Sequence, residues 1–223
     1  MADYTDLPDT AVGVGGIPSG TTVTALRDNP IAIAERAVGA PKVLGANYDI
    51  LDRVVISGTP TAVDLTFDGT NYDEIIINLI SLVPATDGSA LWLRTSTDGG
   101  STFSAGGSDY DWVKEELTAQ TSPSASDTGD NVDAQIVLTQ NVGSSSNESV
   151  SGKISVLGTS NALYYKPFFS ELFYRTTTGV GTRTRGVGNR LSSADIDAVR
   201  LLWDNGSAFE DGGIITMYGV RNS

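Results

Sequence analysis

The segment GGSDYDWV sets two carboxylates and two aromatic rings side by side, as Asp109, Tyr110, Asp111 and Trp112. In an extended chain, successive side chains point to opposite faces. Tyr110 and Trp112 then share one side, and Asp109 and Asp111 the other. Rings and carboxylates together suit a sugar, which needs a stacking platform and hydrogen-bond acceptors. The plainer reading makes Trp112 a cap on the edge of the core. Paired carboxylates can also hydrolyse glycosidic bonds. The candidate pairs are Asp109 with Asp111, or Glu115 with Glu116. Acids this close on a polar segment are more often simply solvated.

Other chemistry is scarce. The sequence holds no His and no Cys. The commonest general base is therefore missing, and so are triads, thiolate sites and disulfides. Asp127, Asp130, Asn131 and Asp133 follow a D-x-x-D-N-x-D spacing that could offer oxygens to calcium. It does not match the EF-hand loop, and a solvated acidic loop is the simpler expectation. The Gly179/Gly181 and Gly186/Gly188 pairs lack the strand-to-helix setting of a phosphate loop. No catalytic residue, metal or cofactor is expected.

The segment STDGGSTF (96–103) fits S-x-D-x-G-x-T-W/F. It resembles the Asp-box of sialidases and other propeller proteins that act on glycans. A propeller needs several copies, and this chain has one. Locally, Asp98 can accept backbone N–H groups, and Gly99 and Gly100 can take the positive φ of a tight turn. Phe103 can pack back on the sheet. The expectation is a hairpin joining 91–96 to 110–113.

These residues need elements to hold them. Of the 223 residues, 39% are hydrophobic, and Gly, Ser and Thr are plentiful. That favours strands and turns. TAVDLTF alternates Val63, Leu65 and Phe67 against polar neighbours. DEIIINLISLV (73–83) is nearly continuous in apolar residues, as a central strand would be. ALWLRTS, AQIVLT, SGKISVLG, KPFFSELFYRT, AVRLLW and GIITMYGV add further strands. The polar stretch 114–133 reads as a surface loop, and 141–149 as another. The sum is eight to ten strands in an all-β, jelly-roll-like antiparallel β-sandwich over residues 48–223.

Residues 1–47 differ. MADYTDLPDTAVGVGGIPSGTTV reads as extended chain. Asn29 can cap a short helix of about two turns, with Pro30 in its first position and Ile31 and Ile33 on an apolar face. Such a helix must dock on something. The expectation is an N-terminal attachment or oligomer-contact segment. TRTR (182–185) places Arg183 and Arg185 on one face. That suits a charged edge strand or a contact with an acidic surface, such as the acidic part of a neighbouring copy.

Net charge is -13, which argues against nucleic-acid binding. It is uneven: residues 1–150 hold 6 Lys/Arg against 21 Asp/Glu, and residues 151–223 hold 8 against 6. No apolar run reaches the ~20 residues of a membrane span. The polar N-terminus does not read as a secretory signal, so synthesis in the cytoplasm is expected.

Three blocks form a familiar set. SGTTVTALRDNPIAIAERAVGAPKV (19–43) resembles a segment near the start of many tailed-phage virion proteins. TNYDEIIINLISLVPATDGSALWLRTSTDGGSTFSAGGSDYDWV (70–113) is similar to their central block. ADIDAVRLLWDNGSAFEDGGIITMYGV (194–220) is similar to their closing strand pair. The blocks stand in the same order and cover most of the chain. The resemblance implies a non-enzymatic structural protein of a phage or phage-like particle, such as a tail fibre, head spike or decoration component. It would be made in the bacterial host cytoplasm and reside in the virion. Its implied partners are other virion proteins and sister copies, with a trimer favoured. Host-surface polysaccharide would be a ligand of the sandwich. A free carbohydrate-binding module is the alternative.

Overall fold

The computed structural model describes residues 20–34, 48–120 and 122–221. By its internal contacts the chain divides between Asn47 and Tyr48. In the first unit, the described element is helix α1 (Gly20–Ala34). The expected extended chain, residues 1–23, is corrected at its end, where Gly20–Val23 are helical, and otherwise lies outside the described residues.

α1 corrects the expected helix start. It has 15 residues, with Asn29 and Pro30 inside it rather than at its beginning. Asn29 is therefore no N-cap. Proline favours a first turn, and inside a helix it loses one i→i−4 hydrogen bond and crowds the i−4 carbonyl, at a cost of about 3 kcal/mol. Val23, Leu26 and Ile31 are exposed on α1, while Thr22 and Ala25 are buried.

The second unit is an antiparallel β-sandwich, as expected. In chain order its strands are β1 (Tyr48–Val55), β2 (Ala62–Thr66), β3 (Tyr72–Leu82), β4 (Leu91–Ser96), β5 (Tyr110–Thr118), β6 (Ser124–Asp133), β7 (Ile136–Val137), β8 (Val150–Leu157), β9 (Lys166–Arg175), β10 (Gly181–Arg190), β11 (Ala198–Trp203) and β12 (Ile214–Arg221). The large sheet has eight strands in the order β1-β12-β3-β8-β9-β10-β5-β6. The small sheet has four, in the order β2-β11-β4-β7.

Alternation builds the core. Ile75, Ile77 and Leu79 of β3 point inward with Ile154 and Val156 of β8 and Phe168 and Leu172 of β9. They meet Val63, Leu65, Leu91, Leu93, Val199 and Leu201 from the small sheet. Each such side chain contributes about 1.5–3 kcal/mol on burial. Trp203 and Phe209 pack ring to ring, with centroids 5.3 Å apart.

Two expectations fail here. The polar stretch 114–133 is mostly strand: β5 runs on to Thr118, and β6 pairs with it from Ser124 to Asp133. β6 is the last strand of its sheet and its side chains are nearly all exposed. An edge strand of this kind needs backbone pairing but no apolar face, so it shows no alternation. The second failure is TRTR as an edge. β10 lies between β9 and β5, paired on both sides. Glycine suits it there: a Cβ at Gly188 would stand 2.8 Å from the Asp111 carbonyl oxygen.

Candidate functional site

β5 carries Tyr110, Asp111 and Trp112 of the predicted sugar-binding residues, with Asp109 just before it, and the two-residue alternation holds. The aromatic face, however, is the inner one. Tyr110 is fully buried. Its hydroxyl accepts the Thr95 backbone N–H at 2.8 Å and donates to the Ser104 carbonyl at 3.1 Å. β7 pairs with β4 only at Trp92 and Leu93. Thr95 lies beyond that pairing, and the Ser104 N–H fills its carbonyl at 2.9 Å. Burial raises the Tyr110 pKa above its usual value. Tyr110 is thus a tie between the sheets, which corrects its assignment as an exposed stacking ring.

Trp112 packs its ring against the core, half-buried. Its Nε1 donates to Asp133 Oδ2 at 2.8 Å. Asp109 is also structural: it pairs with Arg190 at 3.1 Å and accepts the Gly106 N–H at 2.6 Å. Asp111 lies on the outer face and accepts the Asn189 amide at 2.8 Å. The four predicted residues are therefore divided between two faces and form no single platform. Glu115 and Glu116 likewise look to opposite faces of β5.

The acidic D-x-x-D-N-x-D segment lies on β6 instead of in a loop. Asp133 accepts the Ala134 N–H and the Gln135 amide at 2.6 and 2.7 Å, besides Trp112. Among the described residues, no group of three or more Asp or Glu side chains converges on a point where a metal could sit.

STDGGSTF keeps its local logic. Asp98 accepts the Thr102 N–H at 2.8 Å and the Thr102 hydroxyl at 2.6 Å. Gly99 and Gly100 have φ of 72° and 84°. Those Thr102 bonds, and one from Ser96, lower the Asp98 pKa to about 2. The Arg200 guanidinium lies 4.0 Å from the Phe103 ring centroid. The motif is not a hairpin, however. It leads from β4 in the small sheet to β5 in the large one.

Two buried lysines carry no signal in the sequence. Lys114 faces inward and pairs with Glu116 at 2.8 Å, and the Tyr174 hydroxyl donates to the same carboxylate at 2.9 Å. Burial lowers the Lys114 pKa, and burial followed by the Glu116 charge raises that of Tyr174. Lys166 donates to the carbonyls of Asn161, Tyr164 and Ser193. It pins the loop between β8 and β9, whose Leu163, Tyr164 and Tyr165 are 79%, 67% and 55% exposed.

The outer face of the large sheet is a further candidate surface. A shallow groove of about 640 Å³ crosses it, bordered by Val113, Glu115, Lys153, Phe169, Glu171 and Arg185, among others. A second, of about 580 Å³, runs past Asp111, Asp130, Asn131 and Asn189. Arg183 and Arg185 both lie on this face. Arg185 pairs with Glu171 at 2.8 Å, and Arg183 stands 3.9 Å from Glu115. Of the predicted contact residues on α1, Ile31 is exposed, Pro30 is exposed and Asn29 is half-buried. The side chain of Ile33 lies outside the described residues.

The sequence matches no protein-family model and no curated protein. Among solved structures, a galectin from Caenorhabditis elegans aligns over 81% of this chain and 99% of its own, at 9% identity and a TM-score of 0.28. A score that low carries no argument.

Proposed function

We propose that the chain is a non-enzymatic structural component of a phage or phage-like particle, of the fibre, spike or decoration kind. Residues 1–47 attach it to other virion proteins or sister copies, and the sandwich projects outward. The observation that carries this reading is the division of the chain. A short helix with exposed Val23, Leu26 and Ile31 stands apart in sequence from a sandwich whose core is complete in itself. The resemblance blocks supply the particle context.

The test is deletion of residues 1–47. The shortened chain is expected to fold and to be missing from purified particles. Incorporation at the normal level would defeat the attachment role.

A second reading is a carbohydrate-binding module. Its support comes from Tyr164 and Tyr165, exposed on a loop pinned by Lys166. They offer the stacking surface that Tyr110 and Trp112 do not. Glycan-array binding by the full chain, lost in Tyr164→Ala/Tyr165→Ala, would favour it. No binding to any glycan would remove it.

A further inference from the structure

The outer face of the large sheet carries its side chains in cross-strand rows. One row runs Glu115, Arg185, Glu171 and Lys153, each directly opposite the next on β5, β10, β9 and β8. Its charges alternate minus, plus, minus, plus. The neighbouring row on the same strands runs Val113, Val187, Phe169 and Ser155. Val113, Val187 and Phe169 are 50%, 45% and 46% exposed.

The charged row has a specific symmetry. Reversed and laid on itself, it sets every charge against its opposite. A two-fold axis parallel to the strands, between β9 and β10, performs that reversal and keeps each row over its own kind. Arg185 then lies over Glu171 of the second copy, Glu115 over Lys153, and Val187 over Phe169.

We propose that this face binds the same face of a second copy of the chain about that two-fold axis. The contact is isologous, which is how most soluble dimers are built. Arg185 already holds Glu171 within its own chain at 2.8 Å. Its guanidinium has five donors and can hold a second carboxylate across the interface. The row beside it places Arg183 opposite Phe173 on the neighbouring strand. The same axis lays this Arg183 over Phe173 of the second copy, a cation–π pairing.

The size is adequate. Three strands on each side of the axis, eight residues long, span about 24 Å by about 26 Å, or on the order of 1,200 Å² for two copies, which is the lower edge of a standard interface. The inference does not rest on the particle reading. A trimer would have to use another surface, because only a two-fold reverses a row upon itself.

The test is the solution mass of the full chain by sedimentation velocity. The wild type is expected at twice 23.3 kDa, dissociating as salt is raised. R185E and E171R each place like charges across the axis, and each is expected to weaken association at least ~tenfold. An equimolar mixture of the two should restore the dimer, because the acidic substitution in one chain meets the basic substitution in the other. Both residues are more than half exposed, so the fold should survive. Should either variant melt early, K153E mixed with E115K applies the same logic. A monomeric or trimeric wild type, or a mixture that stays monomeric, overturns the proposal. A monomer that still joins particles overturns it while leaving the particle reading intact.

Discussion

The Tyr110 hydroxyl on β5 accepts the Thr95 backbone N–H on β4, so one side chain joins the large sheet to the small one. Tyr110→Phe keeps the ring and removes that acceptor. A buried N–H left unpaired costs about 1–3 kcal/mol. The expected result is a lower denaturant midpoint with an unchanged slope. An unaltered midpoint would show that water replaces the hydroxyl.

Trp112 tests which face the aromatics serve. Its ring packs on the core and its Nε1 is held by Asp133. Trp112→Ala should cost stability, by about 2–4 kcal/mol for a half-buried large ring. Loss of glycan affinity with no change in melting temperature would place the ring on the wrong side of the sheet.

Asp98 makes the turn after β4 sensitive to acid. Its folded pKa, about 2, lies below its ordinary value of 3.8. A depressed carboxylate contributes stability that is whole above the unfolded value and is lost as pH falls through the folded one. The melting-temperature difference between wild type and Asp98→Asn should therefore shrink from 3.8 downward toward 2. A constant difference over that window would mean that the side chain does not titrate in this way.

The Lys114–Glu116 pair is a buried one, with side chains 1% and 12% exposed. Glu116→Leu strands the ammonium and Lys114→Met strands the carboxylate, so each should destabilise by about 3–5 kcal/mol, whereas the double replacement Lys114→Met/Glu116→Leu should cost much less. Additive losses in urea unfolding would argue that packing, and not charge, sets the cost.

Much of the sandwich was legible. β3 announces itself by an apolar run; β11 is less plain, because Ser193 could cap a helix while Val199, Leu201 and Trp203 alternate as in a strand. Alternation also showed that Tyr110 and Trp112 share a face. It could not show which face looks inward, because that depends on the sheet laid over it. β6 was illegible for a related reason: an edge strand has no buried side to write into its sequence. Pro30 misled because its preferred place in a helix is not the place it takes here. Lys114 went unseen because a lysine in a polar run gives no hint that Glu116 and Tyr174 wait beneath the sheet.

β6 closes one border of the large sheet with SASDTGDNVD, a strand without a single large apolar side chain except Val132. An open border invites foreign strands to add on, and charged side chains oppose them. Asp127 and Asp130, both exposed, thus make β6 a place where a ribbon of chains stops growing. Near the isoelectric point of about 4.2 the chain as a whole loses the net charge that keeps copies apart, and turbidity should rise there.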